Sequence, residues 1–514
     1  MQNIEKSYDE VPYNSKVFKY SMPENSALAA IIFGLKTPKI ENARVLELAC
    51  SMGGNIIPFA LNHPNASVVG VDLSSKQIAK AKEISKKLEL KNIKFETKNI
   101  KDIDKNFGEF DYIIAHGVYS WVSDDIKDAI LRIFSECLSE NGVAYLSYNC
   151  YPGWKGKEIL RDITLFRNED KEISADESIL NFKDTLKYLK NNATGMVKNV
   201  VDNNFDNIIN KPKDYLMHEY MEVFNHPNYL YEVARDAKNK GLEYLCEANF
   251  ENDIFLPIND SLKDALEKEC DKNRVKIQQF IDFITNRTFR RTLFIKDDFA
   301  KNMNSEANLK FETIDELFLS GKFSYDFAKQ SYKNLENNMF MPRGMGELLE
   351  SLNEIYPSNL KIGDFMSDFK KVHNKEEISA MYKNIGYSIF ANLIEANLCK
   401  MKFLAPNLEK PKIKDSYIKL LEILKEDENT IGFFTPKYDN IGLNKDIDYE
   451  ILPKFNGKNS KNDLVKELIN FEKNGKFHFV IEEKIVKNEK KIEQMAEKYI
   501  NDKINMLSVY GLLV

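Results

Sequence analysis

The sequence predicts an α/β fold: a mostly parallel sheet of seven strands with a helical insertion, followed by mostly α-helical C-terminal domains. Two observations carry this. Over residues 44–149 short apolar runs alternate with amphipathic helical stretches, which implies right-handed crossovers and a parallel sheet. Further on, two more apolar runs, GLEYLCEA and NRTFRRTLFIK, are placed to close the sheet as an antiparallel pair.

Taken in order, ARVLELA is the first strand and IIPFALNHP a short helix after the turn that follows it. SVVGVDLS is the second strand, with Ser74 or Ser75 as N-cap of the helix KQIAKAKEISKKL. NIKFETKNI, FDYIIAHG and GVAYLSYN supply the third to fifth strands. Between the last two lies DDIKDAILRIFSECLSENG, whose apolar residues recur at helical spacing and whose end is expected at Asn141-Gly142. Residues 156–224 are polar, Lys/Asn-rich and helical, and read as an insertion. The expected division is 1–297 for the sheet domain, 298–410 for a helical middle domain and 411–514 for a small domain, helical or winged-helix-like. No internal repeat or low-complexity linker interrupts it.

At 514 residues the chain exceeds what one core supports, and its 43% hydrophobic and 30% charged residues are those of an ordinary globular protein. No apolar run reaches transmembrane length and no signal peptide is evident, so membrane insertion is not expected. The six scattered cysteines form no CxxC pair, which argues against zinc or disulfides and for a reducing cytoplasm. A net charge of −6 gives no reason to expect nucleic acid. The histidines show no metal-ligand spacing.

The chemistry should sit just after each strand, because ligands of parallel sheets bind at the carboxyl ends. The turn "VLELACSMGGN" lacks the Lys-Ser/Thr of a phosphate loop and the GxGxxG of a dinucleotide loop. What it offers is Glu47, small residues at Ala49 and Ser51, and Gly53-Gly54. That suits a cationic cofactor without phosphates, S-adenosylmethionine, whose ammonium group an acid answers. Asp72 ends the second strand about 25 residues after Glu47, where an acid accepts both ribose hydroxyls; a helix-capping acid is the rival reading. Asn99 and Ile100 are placed to meet the adenine, or are an ordinary strand exit.

Two aromatic-rich exits follow. "AHGVYSWV" carries His116, Tyr119 and Trp121, and "SYNCYPGW" carries Tyr148, Asn149 and Trp154. Any single ring is as readily core packing; together they read as a cage for a cation, since aromatic faces attract ammonium groups. His218 and Glu219 lie between aromatics on the insertion, where a surface ion pair is the commoner fate. Three of only ten arginines, Arg287, Arg290 and Arg291, precede or open the last strand. Their forks suit carboxylates, and a salt-bridged interdomain surface is the favoured reading.

The motifs ELACSMGGN, GVDLS, AHGVYSWV and SYNCYPGW resemble class I S-adenosylmethionine-dependent methyltransferases, whose sheet is Rossmann-like. HEYMEVFNHPNYLYEVARDAKNKGLEYLCEA and QQFIDFITNRTFRRTLF resemble the regulatory domain some of them carry, as does the opening YDEVPYNSKVFKYSMPE. Bacterial (rickettsial-type) outer-membrane-protein lysine methyltransferases are the characterised members it is similar to. The resemblance implies that Glu47, Ala49, Ser51 and Gly53 line the methionine and ribose side. Asp72 and Leu73 would border the ribose, Asn99 and Ile100 the adenine, and His116 the sulfonium, with Tyr13 and Tyr20 closing over the methionine end. Ala49 departs from the family's usual glycine. Tyr119, Trp121, Tyr148, Asn149, Trp154 and Glu219 would receive a lysine. The partners implied are a protein substrate presenting lysines, from the outer membrane or surface, and a second copy of the chain as a homodimer. The alternatives are a small-molecule methyltransferase with the insertion as lid, and a non-catalytic cofactor-binding scaffold.

Overall fold

The computed structural model describes residues 15–169, 173–222, 224–403, 407–427, 430–482 and 484–514. Seven strands, β1 (Arg44–Leu48), β2 (Ser67–Asp72), β3 (Ile93–Thr97), β4 (Phe110–Ala115), β5 (Leu138–Asn149), β6 (Leu242–Glu247) and β7 (Phe289–Lys296), form one sheet. Their order is β3-β2-β1-β4-β5-β7-β6. The first five are parallel, while β7 runs antiparallel to both β5 and β6 and lies between them. The chain order therefore reverses direction beside β1 and β4, which opens a crevice at their carboxyl ends.

Strand alternation sorts the side chains into two layers. Val45, Val68, Tyr112, Ile114 and Tyr145 join the core beneath the helices Pro23–Ile32 and Ile57–Asn62. Leu46, Leu48, Val71, Ile113, Leu146 and Tyr148 join the core on the opposite face, against the helix Asp124–Cys137. Every residue of β4 is buried, as expected of a central parallel strand. Ser74 is the N-cap of the helix Ser75–Lys87, its hydroxyl accepting from Gln77 N at 3.2 Å. The helix after β4 does not run to Asn141-Gly142: it ends at Cys137, and Leu138 is already extended as the first residue of β5. Leu138 pairs with Phe110 in the ladder, and that pairing prevails over the glycine stop signal.

The insertion comprises helices Trp154–Asn168, Ala175–Asn192, Gly195–Ile209 and Lys213–Tyr220, with a core of its own around Leu160, Phe182, Val201 and Tyr220. The middle region is not purely helical. Phe318–Ser320 pairs with Leu360–Lys361 and Glu395–Asn397, and Phe323–Asp326 pairs with Ser331–Asn334. Strands of two to four residues are too short to carry a periodic signal. The last region is helical, with a two-residue pairing of Val480–Ile481 and Lys484–Ile485. Among the described residues no helix is long and apolar enough to cross a membrane.

Of the three arginines Arg290 is buried inside the sheet domain rather than at an interdomain surface, with Arg287 and Arg291 half-buried beside it. Arg290 is 0% exposed; it donates to both Asp282 oxygens at 2.7 and 2.8 Å and to Glu247 at 2.5 Å. Arg287 adds a second contact to Asp282 at 3.0 Å. Burial pushes the Glu247 carboxyl up, but Arg290 and Arg287 outweigh it and hold it below its ordinary value. The network ties the helix Arg274–Thr285 and β6 to β7. Removing one partner leaves buried charge uncompensated, so Arg290→Met should lower stability by roughly 3–5 kcal/mol in urea unfolding. A loss below about 1 kcal/mol would show that the network is not holding the sheet edge.

Candidate active site at the carboxyl edge of β1, β2 and β4

After Leu48 the backbone enters the left-handed region at every second residue: Ala49 (φ +57°), Ser51 (φ +51°) and Gly53 (φ +80°). The loop's N–H groups are bonded within the protein: Cys50 N to Val71 O at 3.0 Å and Gly53 N to Cys50 O at 2.9 Å. Glycine is free at such φ values, whereas Ala49 adopts one at a cost of about 1 kcal/mol. Ala49 therefore takes up the left-handed position itself. A Cβ on Gly53 would lie 2.7 Å from the Phe95 ring, and one on Gly54 would lie 2.3 Å from the carbonyl oxygen of Ser15.

Three side chains fix this loop. Asp72 accepts from Ser51 N and Ser74 N, both at 2.9 Å, so it ties the loop to the end of β2 and stays half-buried at the rim. Leu73 beside it is 39% exposed, an apolar edge toward the crevice. Asn55 donates to Glu47 Oε1 at 2.6 Å and accepts from Phe18 N at 2.9 Å. Ser15 Oγ accepts from Gly54 N at 2.9 Å. Residues 15–21 thus form a strap across the loop, and Phe18 stacks on His116 with ring centroids 3.8 Å apart.

His116 is half-buried, with Nδ1 3.0 Å from Tyr145 Oη and 3.2 Å from Ser147 Oγ. Burial, together with Arg291, lowers its pKa to about 3, so it is a neutral ring at physiological pH. Next to it, Gly117 (φ +66°) donates to Ser147 Oγ at 2.8 Å, and no atom lies within 4 Å of where its Cβ would be. Arg291 lies over the rings of Tyr20 and Phe289, at 5.3 and 5.2 Å. Asn99 caps the short turn Ile100–Asp102 by accepting from Lys101 N at 3.0 Å, and Ile100 is half-buried. Tyr13 and the side chain of His218 lie outside the described residues.

Glu47 is buried beneath the loop. Burial raises its carboxyl to about 8, with Asn55 opposing and Asp72 adding to the shift. Its Oε2, and Ser51 Oγ nearby in the loop, are buried without a hydrogen-bond partner among the described residues. Buried polar atoms are rarely left so, and two in one loop fit a ligand with polar groups of its own. S-adenosylmethionine meets this test: it carries an ammonium, a carboxylate, ribose hydroxyls and no phosphate. Residues 49–54, Asp72 and the strap would hold it.

The aromatic exits are placed differently from a complete cage. Tyr119 and Tyr148 are 2% and 1% exposed and pack together at 5.9 Å. Strand alternation explains Tyr148: Ser147 faces His116, so its neighbour points to the opposite core, where its hydroxyl meets Thr292 at 3.2 Å. Trp154 is 1% exposed, packed edge-on against Trp121 at 6.4 Å and beside Tyr220. The chain's own lysines already sit on two rings, Lys127 over Tyr119 at 5.3 Å and Lys157 over Trp154 at 4.9 Å. Trp121 remains partly exposed. Asn149 is buried, its Nδ2 3.4 Å from Asn225. Glu219 meets Lys157 and Tyr215, each at 3.4 Å, and burial raises its carboxyl. Sequence reasoning missed Ser15, Phe18, Asn55, Tyr145 and Ser147. Only Asn55 stood in the quoted loop; the others reach the site from other elements. Since the loop clashes with any Cβ at Gly54, Gly54→Ala should release the strap and weaken cofactor binding at least tenfold, measured by calorimetry. Unchanged affinity would remove the strap from the site.

Comparison with known proteins gives matching family models, "Methyltransferase domain" over residues 39–180 and "Predicted methyltransferase regulatory domain" over residues 212–296. The uncharacterized Rickettsia prowazekii protein RP789 is 37% identical over 316 residues, 60% of this chain, and the match spans only 56% of that relative's own length. A second protein of that organism, RP028, is 34% identical over 242 residues, 46% of this chain and 96% of its own length. The fold matches that of PKMT2 from Rickettsia typhi, solved in complex with AdoHcy, with a TM-score of 0.81 and 23% identity over 98% of this chain and 100% of that one. RP028 aligns almost from end to end, and the models fall on the sheet domain described above. The chain therefore belongs to the family of class I S-adenosylmethionine-dependent methyltransferases that carry a methyltransferase regulatory domain.

Proposed function

We propose that this protein transfers the methyl group of S-adenosylmethionine to lysine ε-amines of a bacterial outer-membrane or surface protein. The observation that carries the methyl-transfer reading is the strapped loop with its orphaned Glu47 and Ser51 atoms. The lysine reading draws on the family resemblance and on the fold it shares with PKMT2 of Rickettsia typhi.

When bound, the cofactor supplies an electrophilic methyl on a sulfonium. The residues of this chain do the rest. Holding the amine in line removes an entropic barrier of several kcal/mol. The amine must arrive unprotonated, and partial burial beside the partly exposed Trp121 disfavours its charged form. The neutral amine would present its lone pair to that methyl and would shed one proton once it carries the added group. Glu219, raised by burial, lies on the insertion, and the Asn149–Asn225 pair stands at the end of β5; these are the polar groups we assign to orienting the amine. Phe166, Leu180, Tyr188 and Met196 leave the insertion with an apolar outer surface, exposed by 61–77%, which favours a macromolecular substrate over a small molecule.

The labelling test uses the cofactor with a radioactive methyl group and bacterial outer-membrane or surface proteins as acceptors. Methyl-lysine in the hydrolysate is the expected result. Label found solely in small metabolites would overturn the lysine assignment.

The Glu47 carboxyl makes a second prediction. It titrates near 8 in the folded protein against an ordinary 4.5, so between those values the folded state holds a proton that the unfolded chain has lost. Stability should fall as pH rises through that window and level off above it. A bound ammonium favours the carboxylate, so cofactor affinity should rise with pH up to about 8, with release of a proton. Glu47→Gln should flatten both profiles; a wild-type affinity independent of pH from 6 to 8 would contradict this role.

A further inference from the structure

The three arginines around β7 divide by partner. Arg287 and Arg290 are spent on the carboxylates of Asp282 and Glu247. Arg291 is not. Its backbone is bonded, N to Glu247 Oε2 at 2.8 Å and carbonyl to Ala248 N at 2.7 Å. Its guanidinium, half-buried, makes no hydrogen bond or ion pair among the described residues. What it meets are the rings of Tyr20 and Phe289, at 5.3 and 5.2 Å. Ring contacts fix a guanidinium through its flat faces and leave the in-plane N–H fork unspent. Glu251 accepts from Tyr20 Oη at 3.4 Å and does not pair with Arg291.

The register of the sheet brings this fork to the site. Arg291 lies opposite Ser147 in the β5–β7 ladder, and Ser147 meets His116 Nδ1 and Gly117 N. Strand alternation keeps Arg291 on the face of Tyr145 and Leu293, and sends Arg290 to the face of Tyr148. The crevice is open beside it: Gly117 is exposed, with nothing within 4 Å of where its Cβ would be. The charge is felt there, since Arg291 adds to the burial that lowers His116.

Position decides which ligand the fork faces. Three strand steps separate β1 from β7, by way of β4 and β5. At roughly 4.8 Å a step, the Arg291 backbone is about 14 Å from the loop, with His116 between them. With the cofactor held by residues 49–54 and Asp72, at the ends of β1 and β2, the β5–β7 side of His116 is left to the acceptor.

We propose that Arg291 is a specificity-determining residue, whose fork holds the carboxylate of an aspartate or glutamate near the acceptor lysine. The proposal rests on the lysine reading above. Two N–H groups in a fixed plane match the two oxygens of a carboxylate, which a neutral amide does not.

The test gives the full chain labelled S-adenosylmethionine and two lysine-centred peptide libraries. One carries Asp and Glu among the flanking positions, and the other carries Asn and Gln there instead. The wild type should favour the acidic library by about tenfold in kcat/KM, mostly through KM, the scale of a charge-assisted contact. Arg291→Gln should remove that preference, and Arg291→Lys should keep part of it. Both variants should bind S-adenosylmethionine with wild-type affinity in calorimetry, which also shows that they fold. Equal use of the two libraries by the wild type would overturn the proposal, whatever the variants do. So would an unchanged preference in Arg291→Gln, and if that variant also lost cofactor affinity the fork would belong to the methionine carboxylate. No methylation of either library by the wild type would defeat the lysine reading itself, and this inference with it.

Discussion

The contact on which the site depends is the pair of bonds from the Asp72 carboxylate to Ser51 N and Ser74 N. A loop with three left-handed residues in five does not hold its shape through local preference, least of all with alanine and serine at two of them. Asp72 anchors the loop from the next strand, and Cys50 N bonded to Val71 O adds a second tie to it. Gly54, pressed against Ser15, brings the strap down on top. The strap is held from behind as well: Ser15 pairs with the segment at Thr430–Gly432, and Asn440 bonds the backbone of Val17 in both directions. The last hundred residues thereby take part in shaping the loop after β1, although they lie far from it in sequence.

The same logic explains how burial tunes the site. Glu47 sits under the loop with one oxygen on Asn55 and one without a partner, so its charge is disfavoured until something cationic arrives. His116 is disfavoured in the opposite sense, kept neutral by burial and by Arg291. An acid poised to ionise and a base held uncharged leave room for one positive charge near the loop, and the sulfonium cofactor brings its own. At the far sheet edge charge is neutralised internally: Arg290 meets two carboxylates and serves the scaffold.

Much of this was legible in the sequence. The five parallel strands announced themselves as apolar runs because a central parallel strand is buried on both faces, and β4 is buried throughout. Glu47, Ser51, Gly53 and Asp72 fell where the carboxyl edge of such a sheet must lie. What stayed hidden depended on tertiary pairing. The helix before β5 ends at Cys137 because Leu138 joins a ladder, a contact that no local signal encodes. The aromatic exits could be placed after their strands but not on a face; alternation puts Tyr148 in the opposite core from Ser147 and His116. Ser15 and Phe18 act through distant elements, and the short strands of the middle region have no period to read.

The central claim, that the Asp72-stapled loop is the binding site for S-adenosylmethionine, is tested most directly by isothermal titration of the cofactor into the wild-type chain and into Asp72→Ala. The account predicts one site per chain in the wild type and an affinity at least tenfold weaker in the variant, with the sheet still folded. No binding to the wild type, or equal binding to both proteins, would contradict it.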